Sequence, residues 1–220
     1  MAKCPQSGGF QIALGAVRRN AVPMVVLWAV AVAAVAAYYA FPTVAAALEP
    51  LSRWQTESGW LAAFANRVVF CGLLPGAFLI AVRSIRPPRV ALVIFAYCLW
   101  GGLWGVACDL FFTLQTALFG AGCDFLTLAK KTLVDQFVWN MFVCTPANAA
   151  FFPWVESGFT RPGSVRSGFL PMLLANWIVW MPVMAAVYAF PLPLQIQLVG
   201  LASALWMLVA LKTNVKGDMR

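Results

Sequence analysis

Arg67, Asp109 and Asp135 are the ionisable side chains nearest the middle of the apolar runs of this 220-residue chain. A charge at the centre of a membrane helix costs about 2.5–3.5 kcal/mol on insertion scales, so such residues face a bundle interior or water. Pairing Arg67 with Asp109 or Asp135 would remove much of that cost and place opposite charges at the mouth of a polar path. Gln136, Thr145 and Asn148 continue the run that Asp135 opens, and prolines 146 and 153 stand seven residues apart on one helical face. A proline within a helix leaves a carbonyl unpaired, which in lipid must be satisfied by a neighbour, a hydroxyl or trapped water. A kink exposing Thr145 and Asn148 could line a pore or translocation path. The bland alternative has the kink absorbed by packing, Arg67 snorkelling outward and both aspartates among headgroups.

Other chemistries are narrowed by absence. The chain has no histidine, which removes Ser-His-Asp triads, Cys-His nucleophiles and His-ligated zinc. Four of its six cysteines, Cys71, Cys98, Cys108 and Cys144, lie in or beside apolar runs and read as small hydrophobes. No CxxC pair, phosphate loop, dinucleotide fingerprint or paired-carboxylate motif is present. The expectation is a chain that is not an enzyme and takes no cofactor and no metal. Its net charge of +8 is spread in small groups between apolar stretches, which reports orientation in a membrane better than a nucleic-acid partner.

The elements that must position these residues are membrane helices. The composition is 63% hydrophobic and 10% charged, with a mean hydropathy of +0.84, against about 45–50% and 25% in soluble domains. About 20 apolar residues cross a ~30 Å hydrocarbon core. On that measure the chain is an all-α polytopic bundle of about six spans, at 22–48, 60–82, 90–112, 133–155, 169–190 and 192–211. Residues 1–21 form a basic flank, 22–212 one transmembrane domain, and 213–220 a basic tail. Residues 167–211 carry no charge, and Pro191 and Pro193 divide them into a hairpin.

Charge asymmetry supports the count. Lys3, Arg18, Arg19, Arg83, Arg86, Arg89, Arg161, Arg166, Lys212, Lys216 and Arg220 all fall on one side of a six-span arrangement. The other side holds Arg53, Arg67, Lys130 and Lys131 with five of the seven acids. Positive-inside bias then puts both termini on the cytoplasmic-equivalent face. Gly101 and Gly105 give a small-xxx-small face for close helix packing or self-association as a homo-oligomer. Trp60 and Trp154 read as interfacial anchors.

Several motifs bear a likeness to a known family. Lys130-Lys131-Thr-Leu-Val-Asp135-Gln136 is similar to the K-K-x-L-x-D-Q segment of the Mpv-seventeen and twenty-two-kilodalton peroxisomal membrane protein family. Asn176-Trp177-Ile-Val-Trp180, Pro182, Tyr188, Pro191 and Trp206 resemble its N-W/Y-x-x-W-P…F…V-P…W signature, and the likeness covers about residues 90–211. Val106 stands where that family has proline, Asp109 where it has histidine, and Gln195 where it has arginine. The resemblance implies a small cofactor-free integral protein of mitochondrial inner or peroxisomal membranes, or of the plasma membrane in a bacterium, associated with channel-like permeability. The resulting expectation is a channel or pore-like protein for small solutes or ions, active in membrane homeostasis. Its alternative is a non-transporting scaffold or assembly factor.

Overall fold

The computed structural model describes residues 21–81, 90–161 and 165–218, and among these the chain is helical with no strand. The basic flank 1–20, Arg83, Arg86, Arg89 and Arg220 lie outside the described residues, as do the side chains of Arg166, Lys212 and Lys216. The charge asymmetry therefore stands as a property of the sequence.

α1 (Ala21–Ala40) ends at Phe41, which is extended (φ −123°, ψ 104°) because Pro42 follows it. The expected first span, 22–48, is therefore broken: the chain bends by 103° into α2 (Pro42–Ser58). α2 carries exposed Glu49 and Arg53 one turn apart, with Arg53 Nε 3.7 Å from the Glu49 carboxylate. The same helix turns Gln55 into the bundle. Gly59 (φ +54°) supplies the left-handed residue that starts the next run.

That run is α3 (Trp60–Arg67), a π-helical stretch (Val68–Leu73) and α4 (Leu74–Ala81), continuous in the chain. α5 (Val90–Phe119) stops at Gly120 (φ +88°), seven residues past the expected end at 112, because nothing between Thr113 and Phe119 breaks a helix. Asp109 consequently lies ten residues inside the helix rather than at its boundary. α6 (Phe125–Val134), a second π-helical stretch (Asp135–Cys144) and α7 (Thr145–Glu156) form another unbroken run, longer than the expected 133–155. Asp124 caps α6 by accepting a bond from the Thr127 amide at 3.0 Å. The Thr127 side chain, then its amide, hold the Asp124 carboxyl below the usual carboxylate range. α8 (Val165–Tyr188) and α9 (Leu192–Asp218) flank Pro191, and α9 stays helical past 211.

The two π stretches share a cause. Pro75 and Pro146 each stand two residues past the end of one. A proline has no amide to donate and its ring crowds the carbonyl four residues back, here Cys71 or Phe142. Widening the turn relieves the crowding: the Leu74 amide reaches back five residues to the Val69 carbonyl, and the Thr145 amide to Asn140.

Among the described residues two helices are long and apolar enough to cross a membrane, Trp60–Phe78 and Val90–Phe119, with a third if the bent α1–α2 pair is one span. Residues 172–188 and 192–207 are shorter apolar helices. Side-chain distribution agrees with a lipid solvent. Along α5, Leu92, Phe95, Leu99, Leu103, Leu110, Leu114 and Leu118 form an outward apolar stripe, 44% to 64% exposed. The opposite face buries Gly101, Gly105, Cys108, Phe112 and Gln115. A helix apolar outside and partly polar inside is unsuited to water. The core centres on Phe112, Val179, Val183 and Ile196, and Trp28 of α1 ties itself to α8 by donating to the Val179 carbonyl at 3.1 Å.

Gly101 and Gly105 sit where α5 crosses α3. A Cβ on Gly105 would lie 2.4 Å from the Ala63 carbonyl oxygen, and one on Gly101 2.9 Å from that of Arg67. The glycines thus serve a packing contact within the chain.

Candidate functional site

Between α3, α5, the 135–144 stretch, α7, α8 and α9 lies a cavity of about 450 Å³. Its polar lining includes Arg67, Asp135, Gln136, Asn140, Asn148, Asn176 and Ser203, facing indoles of Trp100, Trp104, Trp139, Trp180 and Trp206. A small-molecule site has this make-up: apolar aromatic walls and a few convergent polar groups.

The π-helical stretch builds the polar wall. At 3.6 residues per turn a five-residue step overshoots a full turn by about 140°, so an α-helix would scatter Asp135, Asn140 and Thr145. The wider π turns bring them into one hydrogen-bonded ladder. At its start, Gln115 of α5 donates to the Tyr188 hydroxyl (2.6 Å), and Tyr188 donates to Asp135 Oδ2 (2.6 Å). Gln136 Nε2 donates to Asp135 Oδ1 (2.7 Å) and its own Oε1 accepts from Asn140 (2.9 Å). Asn140 Oδ1 accepts from Thr145 (3.0 Å) and from Asn176 (3.2 Å). Asn148 accepts from the Trp100 indole at 3.3 Å. Both oxygens of Asp135 thus have donors, as a carboxylate inside a bundle requires.

A second polar track crosses from α2 to α9. Gln55 donates to Asp109 Oδ1 at 3.0 Å and accepts from Gln197 at 2.8 Å, and Gln197 accepts from Asn66. Next in sequence, Arg67 is 5% exposed, so it turns into the bundle rather than snorkelling. Its guanidinium donates to the Ser203 hydroxyl at 2.7 Å and to the sulfurs of Cys71 and Cys108 at 3.3 and 3.8 Å.

The expected charge pair is therefore absent: among the described residues the one ion pair is Arg53–Glu49, and Arg67 meets neither Asp109 nor Asp135 within ion-pair distance. Asp109 faces Gln55 and is not part of the cavity wall, because it is one residue round the helix from Cys108, which is. Arg67, Asp135, Gln136 and Asn148 do share the cavity; Thr145 is fully buried behind it and joins through Asn140. Asn140, Gln115 and Ser203 were not singled out from the sequence. Counting in fives before Pro146 would have found Asn140; Ser203 carries no local signal.

The residues of the family-like motifs gather here too. The Trp177 indole donates to the Gln136 carbonyl at 2.9 Å, and Trp180 and Trp206 line the cavity. Lys131 is buried, donating to Thr116 at 3.2 Å, with its Nζ 6.0 Å from the Tyr188 ring centre. Pro182 and Pro191 are exposed. No family model, no curated protein and no solved structure matches the chain. Among the described residues no group of three or more Cys, Asp or Glu side chains is placed to hold a metal ion.

Proposed function

We propose that this is a six-span integral membrane protein whose cavity is part of a passage for small solutes or ions, with both termini on the cytoplasmic-equivalent side. The observation that carries the reading is the ladder from Gln115 to Asn176. It is a run of polar side chains inside a bundle whose outer faces are apolar, beside a cavity of about 450 Å³. Polar groups are placed in lipid-embedded helices at a cost and mark pathways. Among the described residues, six helical runs of 20 residues or more have the length that six spans require. The family likeness supports the same reading, because its motif residues Asp135, Gln136, Asn176, Trp180 and Trp206 surround this cavity.

The test is swelling or leakage of liposomes holding the purified protein, with mannitol and potassium chloride as probes. Flux above protein-free vesicles is expected, reduced several-fold by Asp135→Asn, which weakens the bonds from Tyr188 and Gln136. Asp109→Asn, outside the cavity, is expected to leave it unchanged. Absence of flux for both probes would favour the scaffold reading.

A further inference from the structure

Among the described residues Arg67 is a buried cation without an anion. All three of its partners are neutral: Ser203, which itself donates to the Val199 carbonyl at 2.7 Å, and two cysteine sulfurs. Its Nε has no partner at all, although the side chain is 5% exposed. Asp135 shares the cavity but stands beyond ion-pair distance from Arg67, its two oxygens accepting from Tyr188 and Gln136. An uncompensated charge inside a bundle is strongly unfavourable, and a guanidinium presents a fork of donors that fits a carboxylate. The space beside it is walled by indoles, including Trp104 and Trp180.

We infer that the cavity binds a small organic carboxylate, its oxygens on the Arg67 guanidinium and its apolar body against the indole walls. The bound anion supplies the countercharge that no described side chain gives Arg67. This names the solute class of the passage proposed above and rests on that reading for its physiological meaning. The ligand is held from two sides by different forces: charge-assisted hydrogen bonds fix the carboxylate, and aromatic contact accepts an apolar body. Asn148 and Asn176 offer further neutral polar groups in the same wall without adding charge.

The experiment is equilibrium binding of benzoate to the purified full-length protein in detergent, read by tryptophan fluorescence, with benzamide as the uncharged ligand of the same shape. Benzoate should bind at least about tenfold more tightly than benzamide, as charged hydrogen bonds exceed neutral ones. Arg67→Gln should remove the difference while leaving benzamide binding in place, and Arg67→Lys should restore part of it. Equal affinity for the two ligands, no binding of either, or a preference that survives Arg67→Gln would overturn the inference. If Arg67→Gln does not fold, the wild-type comparison decides alone. Liposomes separate the two claims once benzoate joins the flux probes: benzoate preference in binding without flux of benzoate, mannitol or chloride removes the passage and keeps the site. Flux without benzoate preference does the reverse.

Discussion

Gly105→Leu is expected to force α5 and α3 apart and strongly destabilise the bundle. The first atom added, a Cβ, would stand 2.4 Å from the Ala63 carbonyl oxygen and 2.5 Å from Arg67 Cγ. The carbonyl is backbone of α3 and cannot rotate away, so α5 and α3 must separate. Overpacking a filled core costs about 1–3 kcal/mol, and the upper end or beyond applies where the obstacle is backbone. For a chain of this size, about 3 kcal/mol lowers the unfolding midpoint by roughly 6–12 °C. Separation would also pull Arg67 from Ser203, so the damage reaches the cavity. The expected measurement is a large fall in the thermal midpoint in detergent, with loss of a single peak on size exclusion. Leu103→Ala, on the same helix but 56% exposed on the apolar stripe, should shift the midpoint little.

Gln136→Leu is expected to destabilise the protein comparably, for a different reason. The side chain fits the space, but it is the hub of the ladder, donating to Asp135 and accepting from Asn140. Leucine leaves Asp135 Oδ1 without a donor and the Asn140 amide without that acceptor. Each buried group so orphaned costs about 1–3 kcal/mol, and the carboxylate more than a neutral group. The loss should therefore total several kcal/mol, seen as a lower thermal midpoint together with reduced flux. Gln136→Glu should recover neither, since it places a second carboxylate against Asp135. An unchanged midpoint for Gln136→Leu would mean that the ladder is not a stabilising network.

What could be read from the sequence follows from which interactions are local. Glycine and proline act through their own backbone, so the break at Pro191 and the packing face of Gly101 and Gly105 were accessible, whereas the helix limit at Gly120 lies beyond the expected end at 112. Pro42 was equally informative, but the apolar run 20–48 masked it, and the expected single span became two helices at 103°. The polar path was accessible in kind: Asp135, Gln136 and Asn148 do face one cavity. Its full membership was not, because Asn140 reaches the ladder through a π turn that a 3.6-residue period does not anticipate. Arg67 illustrates the remaining limit. Electrostatics argued for a carboxylate partner, whereas the fold placed Ser203 there, 136 positions away, and left Asp109 to Gln55. Partners so distant in sequence are fixed by helix packing and leave no local trace.

A cysteine placed on the cavity wall shows directly whether water and solute enter the bundle there. Asn148 lines the cavity and is partly accessible, with one bond from Trp100. Flux through liposomes carrying Asn148→Cys should be high before, and largely blocked after, treatment with a bulky charged methanethiosulfonate reagent. Because Cys71, Cys108 and Cys144 also line the cavity, variant and control both carry alanine at these three positions. Block confined to the variant is the expected result. Complete labelling at position 148 with flux unchanged would contradict a passage through the bundle.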